Sequence, residues 1–442
     1  MLEKIFKRTK KKESDDSEPD IQFGRYSDNN KPLAKVEKWN EADASFKQKK
    51  FNESVHAFLE YLKDEEAENV VHEPNGDGTE GTFHFYQGSK MVRGFYNREK
   101  LQAEVTLAIM PTPSVPVMRR LLEMNFNLYY SRSACNGDKL VMLFDSSMVT
   151  ANPSKLYYGL KELATKADKN DDLLLADFAT LVATDDDHVL DLPEEEKKIK
   201  YKYFQKWIKD TLSLIESVDS DKFSGGIAYL LLALAYRIDY LIVPHGKLLA
   251  ELEKIVDIYF KKDDRLVTEK NQEMIELFTK LATRTEDQFY PFLFHSKYTF
   301  SIVNPQSYKT IADAIYNANQ NINWYKENKQ PRIAALISEY GIAYCEYSYS
   351  LPRPITDFFH LFMMVNYPDF FTELGFTKQY YDQEKEELNQ QAIIEKIQGI
   401  EEAWKEKYPE LKFKTDKLKF DSLLAFNQSF TTEVEFLNLE TK

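Results

Sequence analysis

The side chains that could do chemistry in this chain are seven histidines, two cysteines and a large surplus of carboxylates. His56, His72, His84, His188, His245, His295 and His360 show no HExxH spacing, and none lies three or four residues from another. A zinc site would therefore have to be assembled from distant segments. Asn75-Gly76-Asp77-Gly78 has the look of a calcium loop, but Glu80 stands where that loop needs glycine and the ligand ladder stops. Cys135 lies beside a hairpin turn with no histidine near it in sequence, so nothing marks it as a nucleophile. Carboxylates are abundant, including Glu194-Glu195-Glu196 and Glu384, Glu386 and Glu387, and abundance alone makes no acid–base pair. There is no GxGxxG, no phosphate-binding glycine loop ending in Lys-Ser/Thr and no GxSxG elbow. Ser224-Gly225-Gly226 reads as an N-cap and tight turn before an apolar helix. No catalytic, cofactor-binding or metal-ligating residue is assigned.

The elements that would position such groups are those of a globular protein of more than one domain. In 442 residues, 43% are hydrophobic, 29% charged and 14% aromatic, with 27 Tyr and 30 Phe, enough to build packed cores. A net charge of −14 argues against nucleic acid as the main partner, because phosphate binding needs a basic surface. Cys135 and Cys345 stand far apart and allow no disulfide framework, which fits a reducing cytoplasm. No secretory signal is visible. The longest apolar run, Ile227 to Val243, carries Arg237 and Asp239 and reads as a buried core helix.

Along the chain, residues 1–36 read as a basic-then-acidic tail with little to bury. Its start, MLEKIFKRTKKK, sets Ile5, Phe6, Lys7 and Arg8 where they would touch an anionic membrane surface, though one such segment binds weakly. Residues 37–185 read as an α+β domain. A helical pair opens it, and FNESVHAFLEYL resembles the second helix of a tetratricopeptide repeat, without a second copy. Strands are expected over 83–87 and 91–96. A third follows, in which Leu101, Ala103, Val105, Leu107 and Ile109 alternate with Gln102, Glu104 and Thr106. Pro111, Pro113 and Pro116 end that strand, and a helix follows with Val117, Leu121, Leu122 and Met124 on its apolar side. Residues 126–134 and 139–145 form a second hairpin about Asn136-Gly137-Asp138, and Asn152-Pro153 starts the next helix. A boundary falls at Asp185-Asp186-Asp187-His188. From about residue 168 the pattern is helical, beginning with a helix over 171–184; residues 186–408 read as a helical domain, with helices over 194–218, 224–243, 246–262, 267–283, 307–327, 331–348 and 377–407, and short helices in 350–376. Residues 409–442 are expected to dock as a C-terminal tail.

The order helix, three strands, helix, two strands, helix over about residues 39–165 resembles the class I type III secretion chaperone fold and a bacterial regulator family sharing it. The stretches VPVMRRLLEMNFNLYYSRSACNGDKLVMLFD and NPSKLYYGLKELATKADK carry the resemblance. It implies a non-enzymatic protein-binding module that holds client segments on its surface and pairs into a homodimer through the helix from Val115 to Asn125. Arg119, Arg120 and Glu123 would then either face solvent or stand at the partner seam. An open sheet edge would offer a second way to grip a polypeptide, by strand addition. The expected function is a cytoplasmic, chaperone-like or scaffold protein. A membrane-surface adaptor and an enzyme with a site assembled in the helical domain are the alternatives.

Overall fold

The computed structural model describes residues 18–65, 67–184 and 187–441. The chain is α+β. Helices α1 (Leu33–Lys47) and α2 (Phe51–Leu62) precede a six-stranded antiparallel sheet. Its strands are β1 (Val70–Pro74), β2 (Gly81–Gln87), β3 (Lys90–Tyr96), β4 (Lys100–Ile109), β5 (Arg132–Asn136) and β6 (Lys139–Ser147), in the spatial order β1-β2-β3-β4-β6-β5. Helix α3 (Val115–Asn125) connects β4 to β5, and α4 (Pro153–Asp177) follows β6.

The sheet forms as its alternation demands. Leu101, Ala103, Val105 and Leu107 are buried while Gln102 and Glu104 are half-exposed, so one face packs and the other stays wet. Helices α2 and α4 cover the packed face. Gly159 lets α4 approach β6 closely, because a Cβ there would fall 2.3 Å from the Phe144 ring. The result is a first hydrophobic core running from Ala42 to Leu181, which also takes Phe300 from much later in the chain.

The second core is helical. It is built on α5 (Glu194–Glu216), α6 (Ser224–Ile242), α7 (Gly246–Phe260) and α8 (Val267–Ala282), and is completed by later helices over 308–319, 331–348, 353–366, 390–404 and 423–435. Helix α6 is the one described helix long and apolar enough to cross a membrane, and 89% of its apolar window is buried inside the protein. Its two charges are matched there: Arg237 Nε lies 2.8 Å from Glu339 Oε1, and Asp239 Oδ2 lies 2.8 Å from Arg25 Nε.

Several expectations need correction. Residues 18–32 are not a free tail but an extended strap across both cores. Phe23 sits among Tyr240, His360, Phe371 and Phe376. The Gly24 N–H donates to Tyr240 O at 2.8 Å, and buried Asp28 accepts hydrogen bonds from Ser301 and Tyr157. The strap is polar in sequence, yet its polar groups find partners more than a hundred residues away. Helix α4 is continuous to Asp177, where separate helices near 153 and over 171–184 were expected, because Ala164 and Ala167 carry its buried stripe between Leu163 and Leu174. Four strands rather than three precede α3, since Val70–Pro74 pairs with β2. Residues 126–131 turn, and strand β5 begins only at Arg132. The expected helix over 307–327 is broken into Tyr308–Asn319 and Ile322–Glu327. The expected helix over 377–407 begins instead with a hairpin, Tyr381–Asp382 against Glu387–Leu388. Asp382 Oδ1 accepts from the N–H groups of Glu384 and Lys385, both at 3.1 Å, and this local turn outcompetes the helix.

Candidate functional site

The described surface has one dense concentration of exposed apolar side chains, and it lies where α3 runs into β5. Helix α3 starts cleanly, with Ser114 extended before it and proline in its first turn. Its inward stripe is Val117, Leu121 and Met124, all buried. A second stripe, Val115, Met118, Leu122 and Phe126, recurs at three- and four-residue spacing on the solvent side. Val115 is 69% exposed, Leu122 66% and Phe126 89%, and just beyond the helix Tyr129 is 92% exposed. Tyr130 and Tyr158 are exposed as well. Contiguous exposed apolar surface of this kind is uncommon on monomeric proteins and marks interaction sites.

This face is held rigidly. The Glu162 carboxylate, on α4, accepts from the backbone N–H groups of Tyr129, Tyr130 and Ser131, each at 2.8 Å, and from Ser131 Oγ at 2.7 Å. Burial opposes its charge, but the four donors outweigh burial and hold its carboxyl below the usual range. The two tyrosines are thereby fixed outward, where their rings offer large contact area at low cost in entropy.

The neighbouring edge of β5 is guarded. Asn125, the last residue of α3, accepts from the Ser133 N–H at 2.7 Å and donates Nδ2 to Ser133 O at 3.4 Å. Its amide occupies both groups that a further strand would use at that position, a common protection of sheet edges. Strand addition to β5, attractive from the sequence, is obstructed at Ser133.

Of the residues singled out in the sequence, Arg119 and Glu123 lie exposed on this helix and Arg120 half-buried, with Arg120 Nη1 3.9 Å from Glu123 Oε2. They flank the outward stripe. Ile5, Phe6, Lys7 and Arg8 lie outside the described residues. Sequence reasoning missed Val115, Met118, Phe126, Tyr129 and Tyr130. The available signal was a helix that is apolar on two faces, which one domain core cannot bury.

The histidines come together in one place that spacing did not reveal. Tyr96 OH lies 2.8 Å from His56 Nε2 and 2.9 Å from His72 Nε2, joining α2, β1 and β3. The phenol has a single proton, so one ring accepts it and the other donates to its oxygen. Burial and then the neighbouring His56 push the His72 pKa down to about 4. Among the described residues no group of three or more His, Cys, Asp or Glu is placed to hold a metal ion. Cys135 is exposed on β5 and Cys345 is buried in the helical core.

No protein-family model matches this chain, and no curated protein matches it.

Proposed function

We propose that this chain is a non-catalytic protein-binding module of the chaperone-like or scaffold kind, and that it grips a helical segment of another protein along the outer stripe of α3. The observation that carries the reading is that stripe: Val115, Met118, Leu122 and Phe126 in helical register, continued by Tyr129 and Tyr130, on a support that Glu162 and Asn125 make rigid. A partner helix with apolar residues at the same spacing would bury them, and each large apolar side chain so covered returns on the order of 1.5–3 kcal/mol before the costs of association. Arg119 and Arg120 beside the stripe favour a partner with acidic flanks. Met, Tyr, Phe and Arg are also the residues enriched in protein interfaces. The resemblance of this region to the secretion chaperones points the same way, although the additional strand β1 departs from their order of elements, and two unpaired cysteines support a cytoplasmic setting.

The test is photo-crosslinking. A photoreactive side chain at position 129 should trap a discrete partner in the native lysate, and the same probe at Phe260, an exposed residue on α7, should not. Equal yield at both positions, or none at 129, would refute the assignment. Size-exclusion chromatography with light scattering distinguishes a second copy of this chain from a different protein on the same face.

A further inference from the structure

A cavity of about 290 Å³ lies between the two cores, where the strap, α4, the α6–α7 turn, the first turns of α7 and the segment 294–303 converge. Its volume is at the lower end of the range for small-molecule sites, about 300–1,000 Å³. Its walls are partly aromatic. The rings of Tyr26 and Tyr298 stack with centroids 6.0 Å apart, and His245 stacks on Phe294 at 4.0 Å. His245 is fully engaged and uncharged: Nε2–H donates to Phe294 O at 3.0 Å, Nδ1 accepts from Tyr298 OH at 3.2 Å, and burial pushes its pKa down to about 3.

The charges of the cavity divide into a matched set and an unmatched one. Asp239 is held by Arg25, and Glu253 Oε2 by Lys169 at 2.6 Å, so these four balance. Lys166 stands on the exposed rim. From the same helix, α4 brings Asp168 and Asp172 to the cavity, while Asp171, between them in sequence, meets the buried cation Lys90, whose Nζ lies 2.9 Å from Asp171 Oδ2. Among the described residues Asp168 accepts from Ser89 alone, through N–H at 2.8 Å and Oγ at 3.3 Å. The Asp172 carboxylate, which lines the cavity, accepts no hydrogen bond from any described residue. Just behind it Asp171, only 2% exposed, has an Oδ1 with no hydrogen-bond partner. Leaving carboxylates so placed is costly, because burial and mutual repulsion both act against their charge. Burial, then Asp171, pushes Asp172 up to about 7 against the opposing pull of Lys90, and burial, then Asp171, raises Asp168 as well.

Two glycines make room for these groups. Gly88 in the β2–β3 turn has φ +56°, and Gly246 at the start of α7 has φ +55°. A Cβ at Gly88 would lie 1.9 Å from Asp168 Oδ1, and one at Gly246 would lie 2.9 Å from Asp172 Oδ2. Both backbones adopt the left-handed region that glycine alone enters freely, and both spaces are filled by a carboxylate.

We propose that this cavity is a binding site for a small organic cation, an alkylammonium or alkyldiammonium compound. One ammonium would sit between Asp168 and Asp172 and its methylene chain would lie along Tyr26, Tyr298 and Phe294. The two carboxylates stand at i and i+4 on one helix, a spacing of about 5–6 Å between Cβ atoms, which a single –NH₃⁺ with its three donors can bridge. Aromatic faces stabilise the cation and cover the chain. The site would lie at the junction of strap, sheet domain and helical domain, so its occupant would tie them together.

The experiment uses the full chain with 1,4-diaminobutane and 1,5-diaminopentane as probes, read by calorimetry and by thermal unfolding. Butyrate, magnesium chloride and calcium chloride serve as the other arms. Saturable one-to-one binding of a diamine with a rise in Tm is expected, and Asp172→Asn should weaken it at least tenfold. Because Asp172 has no partner to lose, the same substitution should raise the Tm of the ligand-free protein, which separates loss of binding from loss of folding. Lys166→Ala should leave diamine binding equal or tighter. No saturable diamine binding, binding undiminished in Asp172→Asn, or binding of a divalent metal ion alone would overturn the proposal.

Discussion

Replacing Glu162 by alanine removes the acceptor that organises the tyrosine loop. The wild-type carboxylate takes four hydrogen bonds of 2.7–2.8 Å, three of them from consecutive backbone N–H groups. Bonds to a charged acceptor contribute about 1.5–3 kcal/mol each when sheltered. Here the donors of Tyr129 and Tyr130 are solvent-exposed and would be rehydrated in the variant, so most of that is recovered from water. An overall loss of about 2–3 kcal/mol is expected. Urea unfolding monitored by circular dichroism should give that difference with an unchanged m-value, since the surface exposed on unfolding is the same. Amide hydrogen exchange should lose protection at residues 129–131 and keep it in β3 and β4. The effect is also pH-dependent. The folded carboxyl titrates below its unfolded value, so its contribution is complete above the unfolded pKa of about 4.3 and is lost as pH falls through the folded one. Wild type and variant should therefore converge at low pH. A difference below about 0.5 kcal/mol at pH 7, within the ordinary range of surface substitutions, would show that the loop is held by something else.

Three other outcomes follow from the same geometry. Asn125→Ala frees the backbone groups of Ser133, so the variant should self-associate through β5 at concentrations where the wild type does not, as read by light scattering. Arg25→Ala leaves Asp239 buried and unpaired, which should cost about 3–5 kcal/mol and make the strap near Phe23 and Gly24 the first site of limited proteolysis. His72, with its pKa pushed down to about 4 chiefly by burial, is held neutral in the fold, so the unfolded chain protonates that ring first as pH falls from 6.5 towards 4. The raised carboxyls of Asp172 and Glu346 act in the opposite sense over the same range, so the histidine effect is read as a difference: the gap in urea midpoint between wild type and His72→Gln should shift in favour of His72→Gln as pH falls from 6.5 to 4.

How far the sequence could be read differs by element, for physical reasons. Strand β4 was legible because Leu101 through Leu107 alternate cleanly against polar neighbours, and α6 because its run is apolar all round. Strand β1 was not, since Val70 and Val71 are its only strong strand formers and Pro74 ends it, tolerable only at a sheet edge. The strap was illegible because what holds it is long-range and polar: Arg25 meets Asp239 across 214 positions. On α3 the sequence showed Val117, Leu121 and Met124 of the inward stripe and the flanking Arg119 and Arg120, but it set Leu122 on that inward side too, where the structure leaves it 66% exposed. The outward stripe became meaningful only once the core had taken Val117, Leu121 and Met124 and left Val115, Leu122 and Phe126 outside. Nothing in the sequence marks Asp168 and Asp172, because only the fold brings α7 and the Phe294–Tyr298 segment to the same cavity.

The most direct measurement is a comparison of partner capture by wild-type protein and by Leu122→Glu/Tyr129→Ser, both shown by circular dichroism and thermal unfolding to be equally folded. Both side chains are exposed, so stability should change by no more than about 0.5 kcal/mol. The predicted result is that a discrete partner, retained by the wild type across moderate salt, is lost from the variant at unchanged Tm. Undiminished capture by that variant would place the binding surface elsewhere and contradict the account.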